Sequence, residues 1–252
     1  MESLNIVHGC GGCFLESLDG RISEKPVYCP YCYVKYKSLK LKNPYHQPGY
    51  YPEYFDKCRP GNIYICSILG DICSPGTNFL PDIIQRASKI PAYFMLLTKS
   101  PDVYVKNIDV LKQNDCSRIW FGTSIESLYF AYRMKYLKKL QPDFHTWVEV
   151  EPLAGIHDGV DYMGIEYMSV STFGFDQVYR HPRTGEVIKN IHLYNDSWIE
   201  SIIHNPTLNK ERLSIYDNVR RFTDSQEVKK HQNCDISQIV TQTSEISLER
   251  LF

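Results

Sequence analysis

The chain carries almost no net charge and has no long apolar run. Its 28 Lys and Arg nearly cancel 29 Asp and Glu, leaving −1 with histidine neutral. No global field therefore draws a nucleic-acid duplex, which needs a strongly positive face. No stretch of eighteen consecutive apolar residues occurs, so no membrane-spanning helix and no membrane partner are expected. The N-terminus lacks a charged-then-apolar leader, and the expectation is a soluble, cytoplasmic protein. No HExxH pair of histidines is present, which removes a common zinc-hydrolase signature.

What the chain does have is cysteine. There are nine, an odd number, and four fall in Gly9–Tyr33, which reads GCGGCFLESLDGRISEKPVYCPYCY. Cys10 and Cys13 form one CxxC pair, Cys29 and Cys32 a second, and fifteen residues separate the pairs. Such spacing points to metal ligation in a reducing compartment rather than to a disulfide framework. Four thiolates suit tetrahedral Zn2+. The same donors suit an iron–sulfur cluster. Lone Cys234 lacks the paired spacing and is not expected to ligate.

The rest of the chain, 252 residues with 43% apolar content, is enough for one large domain or two small ones. A short β-prone run, Leu4–His8, ends at Gly9. Residues 33–41 read as a helix with a lysine-rich face, and 43–60 as a long Pro- and Tyr-rich loop. Apolar runs at 62–69, 92–97, 118–123, 144–150 and 161–170 then alternate with amphipathic stretches at 81–88, 102–112 and 126–140. That alternation predicts a parallel sheet covered by helices. About six such units fit a doubly wound sheet or, the reading taken here, a partial TIM-like barrel over residues 1–170. Beyond Ser171 the alternation stops: 173–186 reads as loop or hairpin, 198–204 and 210–222 as helices, and the tail from Asp224 as polar. Residues 171–252 are thus expected to form a helical and irregular C-terminal extension.

In parallel α/β proteins, chemistry gathers at the C-terminal ends of strands. Asp71, Lys99, Ser124, Glu126, Glu149 and Glu151 lie at such ends. Glu149 and Glu151 alternate onto one side of their strand with Trp147, and carboxylates there are costly to bury unless paired or used.

Two resemblances follow from these residues. Cys29-Pro30-Tyr31-Cys32 places an aromatic directly before the last cysteine and resembles the CxxxCxΦC signature of radical S-adenosylmethionine (SAM) enzymes, although the first gap here is far longer. The segments LLTKSP, IWFGTSIES and VEVEPLAG, following GC and CPYCY in that order, resemble a phage-associated family of unassigned function that is itself similar to radical SAM proteins with a partial barrel. The resemblance covers about residues 5–170. It implies a 4Fe–4S cluster on Cys10, Cys29 and Cys32, with Cys13 as a fourth ligand, a spare thiol or the true first ligand. It implies SAM as cofactor, cleaved to a 5′-deoxyadenosyl radical. Tyr31 would pack beside the adenine, Ser124, Glu126 and Glu151 would contact the ribose and amino groups, Asp71 the methionyl amine, and Lys99 a carboxylate. Lys99 and Glu151 are the candidate catalytic residues. The expected partners are SAM, a nucleotide or nucleic-acid base as substrate, and an electron donor such as flavodoxin or ferredoxin. The alternative is a four-cysteine Zn2+ site on a non-catalytic module that binds nucleic acid or protein.

Overall fold

The computed structural model describes residues 1–17, 20–28, 42, 44–66, 68–172, 179–180, 187–188 and 195–240. Cys29, Tyr31, Cys32 and the expected helix over 33–41 lie outside the described residues. The strands are β1 (Glu2–Leu4), β2 (Val7–His8), β3 (Gly49–Tyr50), β4 (Ile63–Cys66), β5 (Tyr93–Thr98), β6 (Ile119–Ser124), β7 (His145–Val150), β8 (Tyr167–Val170), β9 (Tyr179–Arg180), β10 (Val187–Ile188) and β11 (Leu213–Ile215). Seven of them form one parallel sheet in the order β1-β4-β5-β6-β7-β8-β11. With its helices this is an α/β fold of the partial TIM-like barrel kind.

The chain divides into two compact units. Unit 1 comprises Met1–Thr123, Tyr132–Trp147 and Asp235–Phe252; unit 2 comprises Ser124–Ala131 and Val148–Cys234. In unit 1, the run IYIC pairs in parallel with β1 on one side and β5 on the other. The helix Leu80–Ala87 follows, with Pro81 in its first turn, where a missing N–H costs nothing. Leu80, Ile83, Ile84 and Ala87 are buried, the i, i+3, i+4, i+7 stripe of a helix laid on a core. Phe94, Met95, Leu96, Ile119, Trp120 and Phe121 are fully buried, as expected of parallel strands covered on both faces. In unit 2, Met168, Val170, Leu213, Ile215, Ile199, Ile202 and Val219 make the core.

Several element boundaries differ from the sequence reading. The expected strand Leu4–His8 breaks in two: β1 joins the main sheet, while β2 pairs antiparallel with β3. The expected helix 102–112 splits into Asp102–Lys106 and Ile108–Lys112, with Asn107 donating its side-chain amide to the Val103 carbonyl at 2.8 Å, the backbone competition that makes Asn a poor interior residue. The helix over 126–140 begins as a 3-10 turn, Leu128–Arg133, and becomes α-helical only at Met134–Lys138. The strand expected over 161–170 shrinks to β8. The largest difference is β11, which lies inside the stretch read as helix 210–222. Leu213, Ser214 and Ile215 pair with Met168, Ser169 and Val170, and burial of Leu213 and Ile215 against the sheet outweighs helix propensity. The helix that follows is only Asp217–Phe222. The hairpin expectation over 173–186 has its described counterpart in β9 and β10, which pair antiparallel.

Candidate functional site

The cysteine loop is built in unit 1. Gly9 donates its N–H to the Leu69 carbonyl at 2.9 Å and bridges in parallel to Gly70. A Cβ on Gly70 would meet the Gly9 and Val7 carbonyl oxygens at 2.6 and 2.7 Å, so this approach requires glycine. Cys10 follows directly, half-buried, with its N–H on the Tyr45 carbonyl at 2.8 Å. Its sulfur accepts the Gly12 N–H at 3.3 Å, and the Gly11 N–H is held by Ser74 Oγ at 3.2 Å. Gly12 has φ +82 and sits against Pro26, a left-handed turn that aims the amide at the sulfur. An amide on a thiolate favours its charged form, the form that binds metal.

The fifteen residues between the cysteine pairs contain a hairpin rather than an open loop. Cys13 and Val27 exchange backbone hydrogen bonds at 3.0 and 2.8 Å, and Glu16 bridges Ile22. Ser17 and Gly20 close the tip, Gly20 at φ +82. The Asp19-Gly20 dipeptide was the sequence signal for it. The chain thus returns beside Cys13 at Val27, two positions before Cys29 in sequence. Tyr28 packs its ring 5.6 Å from that of Tyr45.

Among the described residues no group of three His, Cys, Asp or Glu is placed to hold a metal, and no disulfide joins two described cysteines. Cys10 and Cys13 are two of the four expected donors; the other two, and Tyr31, lie outside the described residues. Burial acts on the thiols of four other cysteines. It pushes the Cys58 thiol up to about 11, assisted by Glu2 and Asp56, and the Cys116 thiol up to about 12, assisted by Asp115. It raises Cys66 and Cys73 as well. All four are held protonated, and Cys66, Cys73 and Cys116 lie in the core.

At the strand ends of unit 1, Asp71 is buried and heavily engaged. Oδ1 accepts from the Cys73 N–H at 2.9 Å and from Thr98 Oγ1 at 2.6 Å; Oδ2 accepts the Lys99 N–H at 2.9 Å. Thr98 Oγ1 also accepts the Ser100 N–H, and Thr123 Oγ1 donates to the Thr98 carbonyl. Asp71 and Lys99 are thus brought together through backbone, and the carboxylate ties the turn after β4 to the end of β5. Lys99 is half-buried.

In unit 2, Ser124 closes β6 and is buried, as are Glu126 and Glu149, whereas Glu151 lies beyond the end of β7 and is exposed. Residues 125–128 run alongside 149–156 as a ladder: Ile125 N–H to Glu149 O at 2.9 Å, Ala154 N–H to Glu126 O at 2.9 Å, and Leu128 N–H to Ile156 O at 2.8 Å. Gly155 permits the approach, since a Cβ there would stand 2.6 Å from that of Ser127. Ser124 and Glu126 are therefore brought to the segment that carries Glu149 and Glu151.

Sequence reasoning missed His157, which no spacing singles out. It is fully buried, with Nδ1 2.6 Å from the Tyr162 hydroxyl and Nε2 without a hydrogen-bond partner. Burial lowers its pKa to about 4, against the opposing pull of the Glu126 carbonyl and carboxylate, so the ring is neutral at pH 7. Its backbone is fixed by Ser201 Oγ at 2.8 Å and by Asn205, whose amide donates to the His157 and Val160 carbonyls.

No helix among the described residues is long and apolar enough to cross a membrane. Comparison of the chain with protein-family models, with curated proteins and with solved structures gives no match.

Proposed function

We propose that the protein is a radical SAM enzyme acting on a nucleotide or nucleic-acid base. The observation that supports this is the cysteine loop: Gly12 aims its amide at the Cys10 sulfur, and the hairpin brings Val27, two positions before Cys29 in sequence, back beside Cys13. Cys10, Cys29 and Cys32 would hold a 4Fe–4S cluster, with Cys13 as a further thiol beside it. When bound, the cluster and SAM supply one-electron cleavage to a 5′-deoxyadenosyl radical.

The chain's own residues bind and orient. Tyr31 would pack beside the adenine. Ser124 and Glu126, buried in unit 2, and exposed Glu151 accept from ribose and amino groups. Lys99 holds a carboxylate. Asp71 retains capacity for the methionyl amine only alongside its three present donors, so its first role is to position Lys99. The site calls for a reducing compartment such as the cytoplasm and for flavodoxin or ferredoxin as electron donor.

The amide-to-sulfur bond inside a CxxC turn also favours a second reading, a four-cysteine zinc module without catalysis that binds nucleic acid or protein. Anaerobic purification, reconstitution with iron and sulfide, and low-temperature EPR with and without SAM decide between them. About four irons per chain, with a reduced signal that changes on SAM addition, is the expected result. A colourless protein holding one tight zinc overturns the radical reading.

A further inference from the structure

The hairpin that begins at Cys13 leaves much of its apolar surface in water. Phe14 is 44%, Ile22 55%, Val27 42% and Tyr28 42% exposed, so hydrophobic burial does little to fasten its outer side. Its arms hold each other instead. Beyond the Cys13–Val27 pair, Ser23 donates its N–H to the Leu15 carbonyl at 2.8 Å, Ser23 Oγ accepts the Leu15 N–H at 3.0 Å, and Ser17 donates its N–H to the Arg21 carbonyl at 2.9 Å. A segment bonded within itself and lightly packed outside opens locally, as one body, before the core does.

One fastening lies at the base, where the Tyr28 ring meets Tyr45. Another lies farther out. Lys135 donates to both carboxylate oxygens of Glu16, each at 2.6 Å. Lys135 stands on the helix Met134–Lys138, so the bond ties the hairpin to a distant part of unit 1. The Glu16 side chain is shielded, and half of Lys135 is in water; a two-oxygen pair in such a place is stronger than a fully exposed one. Gly11 and Gly12 precede Cys13, with Gly12 at φ +82°, and two successive glycines let the chain swing at that point. Under these fastenings Cys13 is only 2% exposed, whereas Cys10 is half-buried. One thiol of the CxxC pair is therefore covered while the other meets solvent.

We propose that the hairpin is a strap latched by Glu16 and Lys135, and that its opening gives a metal ion or a thiol reagent access to Cys13. With the latch closed, the sulfur is shut in. With it open, the strap turns about Gly11 and Gly12 and the sulfur is presented beside that of Cys10. Dissolved salt screens a half-exposed ion pair and so favours the open state. The inference concerns how the CxxC turn is reached and does not rest on which metal it takes.

Alkylation of the full chain with iodoacetamide tests it, after a chelator has removed any metal and with each cysteine peptide followed by mass spectrometry. Cys66, fully buried in the core, reports global unfolding. Lys135→Ala should speed the reaction of Cys13 about 3- to 10-fold and leave Cys66 unchanged. Lys135→Arg, which keeps a donor for Glu16, should hold the native rate within ~2-fold. Raising the salt from about 0.05 M to about 1 M should speed Cys13 roughly 2- to 5-fold in the native chain and hardly at all in Lys135→Ala. A Cys13 rate unchanged by Lys135→Ala overturns the latch. A rise shared equally by Cys66 overturns it too, because the whole fold would then be opening. If Lys135→Ala fails to fold by circular dichroism, Glu16→Gln, which keeps the shape and removes the charge, decides by the same two rates.

Discussion

Asp71 in unit 1 and Ser169 in unit 2 are both buried polar residues of the parallel sheet and its strand ends, and their surroundings differ. Asp71 receives three hydrogen bonds, from Cys73, Thr98 and Lys99, and Thr98 passes the chain on to Ser100 and Thr123. Ser169 Oγ receives none, and in the same unit His157 Nε2 and Asn218 Oδ1 are also without partners. A network closed on itself specifies structure. Groups that fold into the interior with capacity left over lower stability. By this contrast the Asp71 carboxylate fixes the turn after β4, next to the cysteine loop, whereas the Ser169 hydroxyl fixes nothing.

The sharpest test is Asp71→Ala, which leaves three donors, two of them buried, without an acceptor. The expected loss is about 3–5 kcal/mol, read as a lower urea midpoint at unchanged slope. A loss below ~1 kcal/mol would show that the clamp is not structural.

A second test uses pH. The His157 pKa falls to about 4 in the folded protein from an ordinary value near 6.5 when unfolded. Between these values the unfolded chain binds a proton that the folded one does not, so stability is full above about 6.5 and declines as pH falls toward 4. The expected decline is ~3 kcal/mol, from 1.36 kcal/mol per pKa unit. Denaturation at pH 7 and pH 4.5 measures it, and His157→Gln, neutral throughout, should flatten much of the slope. An equally steep slope in the variant would remove His157 as its source.

The smallest effect is the most discriminating. Ser169→Ala should leave stability unchanged or raise it by up to ~1 kcal/mol, because it deletes an unsatisfied buried hydroxyl and no bond. A loss above ~1 kcal/mol would mean that Ser169 is held in the folded protein after all and would erase the contrast with Asp71.

The sequence made the alternation of β4 through β7 with helices legible because those strands are continuous apolar runs, long enough to register against a periodic template. It hid β11, whose three residues sit in a stretch that scans as helix and become a strand only by pairing with β8. The strand β8 was half visible: Tyr167-Met168-Ser169-Val170-Ser171 alternates cleanly, yet all five residues are buried, because what covers each side is decided by partners elsewhere in the chain. Cys10 and Cys13 stood out by spacing. His157 had no local signature, since its character comes from Tyr162, Ser201 and Asn205 closing around it. Strand-end position placed Asp71, Lys99, Ser124 and Glu126 correctly on the fold; it did not separate the engaged carboxylate of Asp71 from exposed Glu151.

The hairpin between Cys13 and Val27 has a consequence for descent as well as for geometry. Its two arms are held by their own ladder and its tip turns at Gly20, so residues can be gained or lost in pairs at the tip while Cys13 and Val27 stay face to face. The count of residues between the two cysteine pairs is then free to drift at little energetic cost, because loop closure depends only weakly on length. Kinship among such chains would be carried by the paired glycines and cysteines at the base of the hairpin. A search keyed to a fixed number of intervening residues would pass related chains by.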